Sequence, residues 1–322
     1  MKKGFVPGLT LAAVLALVAS PAFAQENQAV EQIGDETVVE RDPDVIPFEE
    51  AASHIFLTRE ESERALAREP LARRTANMTY HGGKILPSTT VKAIFWGPSW
   101  ATSPGDKVTG LDSWYAGFGG SNYARTTTEY NGTNGFVGTS STYQGHIVDT
   151  STAASGNNTS AILAEVCKQA AAGNIVLDNS GNGYYPVYTD LPRGNAGFCA
   201  WHSAGTCSGQ LVQFAFFWKL DGDAGCDPGD TSGLHSEGLA ALANVSGHEL
   251  AEAMTDPASP GAWYDRSGAE NGDKCAWTFG GPLATFSNGS KWKIQGEWSN
   301  QAFTAGTGYP NSSGQKGCLS GK

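Results

Sequence analysis

Residues Ser236 to Asp256 have the sequence SEGLAALANVSGHELAEAMTD. Ser236 is a good helix N-cap, and the apolar residues that follow it recur at helical spacing. Pro257 comes directly after Asp256, and proline cannot continue a helix. We therefore predict one long helix here, around which the rest of the domain is built.

This helix carries a pattern of metal ligands, His248-Glu249-Leu250-Ala251-Glu252. Residues at positions i and i+4 project from the same face of a helix, so His248 and Glu252 are predicted to bind one metal ion. Glu249 would then be directed towards a water on that ion. The pattern is that of the His-Glu-x-x-His zinc helix with the second His replaced by Glu. Two carboxylate ligands suit calcium as well as zinc, so Zn²⁺ and Ca²⁺ are both candidate ions.

Further ligands are expected downstream, in the segment GAENGD at 268–273. Zinc sites on a helix take two ligands from it and a third from a later residue. Glu270 and Asp273 are the first candidates for that third ligand. Asp256 and Asp265 are second choices, or partners that orient the His by a hydrogen bond.

Two functions fit this pattern. In the first, the protein is a zinc metallopeptidase-like hydrolase in which Glu249, as the general base, takes a proton from a water and passes it to the leaving amine of a peptide. In the second, the same residues hold a structural ion in a non-catalytic extracellular binding or signalling protein. Exposed strands rich in Trp, Tyr and Gly would then contact cell-wall polysaccharide or a surface partner.

The N-terminus predicts export and processing. Two lysines precede an apolar run too short to span a membrane, and Ala22-Phe23-Ala24 is a cleavage site, so residues 1–24 are predicted to be a secretory signal peptide. Residues 25–75 form an acidic segment whose first part, 25–47, is predicted to be disordered. Its second part, 48–72, favours a helix with a capping box at Thr58, and the dibasic pair Arg73-Arg74 follows. The segment is either a propeptide that covers a site, as in a zymogen, or a surface linker. Residues 76–322 are the globular, catalytic domain.

Charge and cysteines narrow the class of protein further. The net charge of −11 argues against nucleic acid or an anionic membrane as a partner and leaves an extracellular protein or peptide as the expected one. All six cysteines lie in the C-terminal half, and no C-x-x-C pair is present. In a secreted or periplasmic protein they predict disulfide bonds. The pairing stays open, with Cys275–Cys318 suggested as one bridge.

Strand and helix patterns are mixed without regular alternation. They predict an α+β fold: a single mixed α/β globular domain, zincin-like, with a mixed or antiparallel sheet and a central metal-site helix. The predicted strands are Val91–Trp96, Asn174–Leu177, Gly183–Asp190 and Gly209–Leu220, and Thr159–Ala172 is predicted to be a helix.

Other candidate residues give weaker signals. His202, in Cys199-Ala-Trp-His202, either binds substrate or an oxyanion in the cleft or has a structural role beside a disulfide, which is the favoured interpretation. The loop 221–230 carries four aspartates, but their order does not match a calcium loop, so a solvated turn is favoured. His81, His146 and His235 are isolated.

Several motifs together resemble the EXORDIUM (phosphate-induced protein 1) family of plants and its bacterial relatives. The most specific is Gly247-His248-Glu249-Leu-Ala-Glu252, which continues through Thr255-Asp256-Pro257, Ala262-Trp263-Tyr264 and Glu270-Asn-Gly272-Asp273-Lys-Cys275. The weaker ones are Tyr80-His81-x-Gly83, Phe198-Cys199-Ala-Trp-His202 and Phe216-Phe217-Trp218. The resemblance implies a secreted, wall-associated protein linked in plants to growth, with no activity to carry over. This chain departs from plant members in its acidic segment and in Asp256, where Asn is common.

Overall fold

The computed structural model describes residues 1, 54–68 and 77–322. Apart from Met1, these residues belong to one compact unit, Asp42–Lys322. The predicted signal peptide after Met1, the acidic stretch 25–47 and the dibasic pair Arg73-Arg74 lie outside the described residues. Within the described residues no helix is long and apolar enough to cross a membrane.

One mixed sheet of six strands organises the domain, in the order β1-β8-β9-β7-β3-β6. Its strands are β1 (Ile55–Leu57), β3 (Thr89–Trp96), β6 (Ser141–Asp149), β7 (Gly183–Pro192), β8 (Phe198–Cys207) and β9 (Gln210–Lys219). Strands β6, β3, β7 and β9 run parallel, whereas β8 is antiparallel to β9 and β1 is antiparallel to β8. The predicted mixed sheet in a mixed α/β domain is therefore confirmed.

Six α-helices are present among the described residues. They are α1 (Arg59–Arg68), α2 (Ser99–Thr102), α3 (Lys107–Phe118), α4 (Thr159–Ala171), α5 (Glu237–Thr255) and α6 (Asn300–Thr304). The remaining strands are short: β2 (Thr79–Tyr80), β4 (Asn131–Gly132), β5 (Gly135–Phe136), β10 (Trp263–Tyr264), β11 (Ala284–Thr285), β12 (Lys291–Trp292), β13 (Glu297–Trp298), β14 (Tyr309–Pro310) and β15 (Lys316–Leu319).

The predicted long helix is α5, and its ends lie where the sequence places them. The Ser236 hydroxyl accepts a hydrogen bond from the Leu239 amide at 3.2 Å, as an N-cap does. The helix ends at Thr255, two residues before Pro257. All residues from Gly238 to Thr255 are buried, so α5 runs through the interior of the domain.

Helices cover both faces of the sheet near β8. Successive side chains of a strand point to opposite faces, so neighbouring residues of β8 contact different helices or loops. His202 points towards α5, where its Nε2 atom is 3.6 Å from Oε2 of Glu252. Its neighbour Trp201 points the other way and donates a hydrogen bond to the Gly156 carbonyl at 2.8 Å. Gly205 shares that second face and lies against Leu163 of α4. Such double coverage explains why β8 and β9 are buried along most of their length.

Three sequence expectations need correction. Within the segment 48–72, for which the sequence predicts a helix, residues Ile55–Leu57 form strand β1 because they pair with β8, and the helix begins only at Arg59. The strand predicted at Asn174–Leu177 does not form, because the chain wraps around the end of α4 instead. The amides of Asn174 and Ile175 both donate to the Gln169 carbonyl, at 2.9 and 3.3 Å, which satisfies that end of the helix. Conversely, β8 is absent from the strands predicted above, and the structure places it next to the sheet edge.

All six cysteines form disulfides: Cys167–Cys207, Cys199–Cys226 and Cys275–Cys318. The suggested Cys275–Cys318 pair is confirmed, and it ties the segment after Asp273 to β15. Three disulfides are consistent with an oxidising, extracellular location.

Candidate metal centre

Helix α5 presents His248, Glu249 and Glu252, each with none of its surface exposed. Nε2 of His248 lies 3.1 Å from Oε2 of Glu252, so the i, i+4 spacing brings these two groups together as expected. The two atoms do not hydrogen-bond to each other, since each remains without a partner. Ligand atoms of one tetrahedral zinc ion are about 3.3 Å apart, given bonds of about 2.0–2.1 Å. The pair therefore has the separation of two ligands of a common ion.

The loop after β10 brings Asp273 to the same place, with Oδ1 at 3.8 Å from Nε2 of His248. The Asp273 amide donates to Oε1 of Glu252 at 2.9 Å, and the Glu270 amide donates to Oδ2 of Asp273 at 3.1 Å. In Glu252 and in Asp273, one carboxylate oxygen thus accepts a backbone hydrogen bond and the other lies beside His248. Backbone hydrogen bonds of this kind fix the orientation of metal-binding side chains.

Gly272 allows the loop to lie this close to the helix. A Cβ atom at this position would lie 2.7 Å from Nδ1 of His248 and 2.8 Å from Oε1 of Glu252, which is too close for any side chain. The glycine in GAENGD therefore serves close packing of the loop on α5.

Gln295 supports the other side of the His248 ring. Its side-chain nitrogen is 3.0 Å from Nδ1 of His248 and donates to the Gly272 carbonyl at 2.8 Å. An imidazole that binds a metal through Nε2 must carry its proton on Nδ1. The Gln295 amide is held in the opposite orientation, because its nitrogen donates to the Gly272 carbonyl and its Oε1 accepts the Trp277 amide at 3.3 Å. Binding of an ion at Nε2 of His248 therefore requires the Gln295 side chain to shift.

His202, on β8, belongs to the centre as well. Its Nε2 atom is 3.4 Å from Oε2 of Glu270 and 3.6 Å from Oε2 of Glu252, and only 1% of its surface is exposed. The structure therefore places His202 in the cleft, next to the predicted ligands, as well as close in sequence to the Cys199–Cys226 disulfide. The signal that pointed to the cleft was the motif Cys199-Ala-Trp-His202 itself, but nothing in its spacing connects it to α5.

One more side chain of the site, that of His54, comes from the described residues 54–68. Nδ1 of His54 is 2.6 Å from Oε2 of Glu270, and the rings of His54 and His202 are 4.6 Å apart. Sequence reasoning missed this residue because the segment carries no motif for metal binding.

These side chains form three overlapping groups in which the ligand atoms lie within 4.8 Å of one another. The groups are His248–Glu252–Asp273, His202–Glu249–Glu252 and His54–His202–Glu270. The free oxygen of Glu252 is shared by two of them and lies between the imidazoles of His248 and His202. We call these seven residues the buried cluster.

Several carboxylates and imidazoles of the buried cluster lack hydrogen-bond partners or compensating charge. Several of its atoms are buried without a hydrogen-bond partner, namely Nδ1 of His202, Nε2 of His248, both carboxylate oxygens of Glu249, Oε2 of Glu252 and Oε1 of Glu270. Within the described residues Glu252, Glu270 and Asp273 form ion pairs with histidines alone, and Glu249 forms none. Uncompensated buried charge is costly, and a bound cation removes that cost.

The pKa values of the cluster reflect the same shortage of positive charge around buried carboxylates. Burial, reinforced by neighbouring carboxylates, raises the pKa of Glu249 and of Asp273 well above the usual range. Burial also acts to raise the pKa of Glu252, but the imidazoles of His248 and His202 outweigh it and hold that pKa at about 2. Carboxylates crowded around imidazoles in this way fit Zn²⁺, which accepts nitrogen and oxygen ligands, better than Ca²⁺, which takes oxygen.

The two second-choice aspartates differ in position. Burial and the charge of Glu270 raise the pKa of Asp256 to about 7, and its Oδ1 accepts the Ala262 amide at 2.5 Å. Asp256 thus borders the cluster without joining a ligand group. Asp265 is engaged elsewhere, in an ion pair with Lys274 at 3.0 Å.

The three histidines expected to be isolated lie outside the ligand groups. His81 stacks on Tyr264, and Nδ1 of His146 is 2.9 Å from Asp112. Nε2 of His235 is 2.8 Å from the Lys291 carbonyl. Each of the three therefore has an ordinary local partner.

A scan against protein-family models and searches of curated proteins and of solved structures find no match for this chain. The resemblance to the EXORDIUM family and the zincin-like fold therefore stay interpretations of sequence motifs. Function has to be argued from the chemistry of the site.

Proposed function

We propose that this protein is an exported, metal-dependent hydrolase of peptide or amide bonds. The observation that carries the proposal is the set of buried, unpartnered ligand atoms that converge around His248 and Glu252, next to the unpartnered carboxylate of Glu249. The three disulfides support export, because such bonds form and persist in oxidising compartments.

In this proposal His248, Glu252 and Asp273 hold the ion, with His202 and Glu270 on its other side. Zinc is the favoured ion because two imidazoles take part. When bound, it supplies a Lewis acid that polarises a carbonyl and lowers the pKa of a water to near neutrality.

Glu249 is the proposed general base. Both of its oxygens lack a hydrogen-bond partner, and it lies within the same ligand group as His202 and Glu252. A carboxylate in such a place accepts a proton from the attacking water and returns it to the leaving nitrogen. Burial and the neighbouring carboxylates raise the pKa of Glu249, which makes its carboxylate a stronger base towards that water.

The second candidate function is a non-catalytic extracellular protein with a structural ion. The position of His54 favours this candidate, since its ring covers the cluster beside Glu270. A structural site is closed by protein ligands, whereas a catalytic one keeps a position for water.

Metal analysis combined with a casein or gelatin assay separates the two. We expect wild type and Glu249→Gln to bind equal amounts of zinc, and only wild type or its processed form to cleave. Glu237→Gln, an exposed substitution at the start of α5, is the matched control and should cleave like wild type. A protein that binds zinc but is inert in every processed state contradicts the hydrolase. A protein that binds no ion contradicts both candidates.

A further inference from the structure

Residues 54–59 lie along the sheet edge beside the buried cluster. Strand β1 pairs antiparallel with β8, with Ile55 opposite Trp201 and Phe56 opposite Ala200. The strand that carries His202 would otherwise be the edge of the sheet. An edge strand offers unpaired amides and carbonyls to any extended chain that comes alongside.

The side chain of Phe56 fills a slot at the cluster. It stacks on His248 with ring centres 4.0 Å apart and on Trp277 with centres 4.8 Å apart. Only 1% of its surface is exposed, so the slot encloses the whole ring. One wall of this slot is therefore a residue of the proposed metal centre.

The backbone of the segment is held in the manner of a bound peptide. The Trp277 indole nitrogen donates to the Leu57 carbonyl at 3.1 Å, and the Thr58 amide donates to the Gly197 carbonyl at 2.9 Å. Trp277 has a backbone φ of +56°, a conformation that non-glycine residues rarely adopt. Such strain persists where the surroundings enforce it, and it often marks a binding site.

Helix α1, which comes directly after this segment, contributes little to the core. None of its residues is buried, and it carries charges along its length. The contacts that hold this region are thus concentrated in residues 54–59, next to the cluster. At their start, His54 reaches Glu270 at 2.6 Å and closes the cluster from that side.

We propose that the β8 edge and the slot between His248 and Trp277 form a groove for an extended peptide with an aromatic side chain, and that His54–Leu57 occupies this groove as a tethered inhibitor. Main-chain pairing with β8 provides affinity, and the slot selects the aromatic residue. The link from this groove to catalysis rests on the proposed hydrolase function, whereas the binding itself does not.

The first test uses the full-length chain and a fluorescent peptide of sequence His-Ile-Phe-Leu-Thr. We expect the double variant His54→Ala/Phe56→Ala to bind the peptide at least about tenfold more tightly than wild type, because its groove is no longer filled by the tethered segment. Replacement of Phe by Ala in the peptide should weaken binding by at least about tenfold. Glu63→Ala, in α1, is the matched control and should behave like wild type. Equal binding by wild type and the double variant would overturn the proposal.

A second test needs no variant. Hydrogen exchange of the amides in 55–59 of wild type should speed up when the same peptide is added in excess, because the free peptide displaces the tethered strand. Unchanged exchange at a peptide concentration that saturates wild type in the fluorescence assay would mean that β1 is a permanent part of the sheet, which contradicts the proposal.

Together, the binding and cleavage assays tell the two proposals apart. If the double variant cleaves casein but does not bind the peptide, the groove is wrong and the hydrolase stands. If it binds the peptide but cleaves nothing when loaded with zinc, the hydrolase is wrong and the groove stands.

Discussion

Two regions of this molecule are rich in carboxylates, and they differ in how those carboxylates are satisfied. In the loop 221–230, Asp221 pairs with Lys107 at 2.8 Å, and Asp223 accepts two hydrogen bonds from Arg193, at 2.7 and 2.9 Å. Each remaining aspartate of this loop accepts the amide two residues further along the chain: Asp227 from Gly229 and Asp230 from Ser232, at 2.8 and 2.9 Å. Within this described loop one carboxylate oxygen, Oδ2 of Asp230, is buried without a partner.

The buried cluster shows the opposite arrangement. Glu249, Glu252 and Glu270 are all buried and all retain oxygens without partners. Among the described residues, Glu252 and Glu270 form ion pairs with imidazoles alone. The number of carboxylates thus says little about a metal site. Burial combined with missing partners says far more, because those are the charges that a cation stabilises.

The largest difference should appear when one carboxylate is removed from each region. We expect Glu252→Ala to weaken zinc binding by on the order of 100-fold or more, because its free oxygen lies between His248 and His202. Asp223→Ala should leave zinc affinity unchanged. Competition with a zinc-sensitive dye measures both. Equal losses in the two variants would mean that the ion is not in the cluster.

Packing of the ligand loop should have the next largest effect. Gly272→Ala places a methyl group against His248 and Glu252, so we expect about tenfold weaker zinc binding and a loss of about 2 kcal/mol in the free energy of unfolding. Urea unfolding and the same dye competition test this. Gly281→Ala is the matched control, since a Cβ there meets no atom within 4 Å. If the two variants behave alike, the close approach of the loop does not matter.

The pH dependence of stability should separate the metal-free protein from the loaded one. The raised pKa values of Glu249 and Asp273 mean that the folded, metal-free chain binds more protons than the unfolded chain above about pH 4. Stability falls with pH wherever the folded state binds more protons, so the Tm of metal-free protein should drop as pH rises from about 5 to 8. Glu252, whose pKa is lowered to about 2, acts in the opposite sense only below about pH 4.5.

Bound zinc should remove the pH dependence of the Tm, because the ion replaces the protons that Glu249 and Asp273 bind in the metal-free protein. Thermal melts with and without EDTA across this range provide the measurement. A metal-free protein that becomes more stable towards pH 8 would contradict the proposed charge balance.

The smallest effect is expected in the aspartate loop. Arg193 and Asp223 retain 16% and 13% side-chain exposure, so their ion pair is partly open to solvent, and Asp223→Ala should cost about 1 kcal/mol. Millimolar Ca²⁺ should not raise the Tm of the Glu252→Ala variant. A clear rise would mean that the loop binds calcium after all.

Local sequence was sufficient to predict part of the site. The bounds of α5, the pairing of His248 with Glu252 and the approach of the 268–273 loop all depend on neighbours close in sequence. Helical spacing and a short connection carry that information.

His202 and His54 could not be placed in this way. His202 reaches the cluster only because β8 lies beside β9 and points that side chain towards α5, and His54 only because β1 pairs with β8. Such contacts are tertiary. The false strand at Asn174–Leu177 has the same origin, since its apolar residues suit a strand but the end of α4 captures their amides.

Anomalous diffraction at the zinc edge, from crystals of the zinc-loaded full-length protein, shows directly whether an ion binds between His248 and Glu252. The proposal predicts one or more peaks within about 2.2 Å of Nε2 of His248 and the free oxygen of Glu252. An ion bound in the loop 221–230 instead, or no ion near α5, would contradict it.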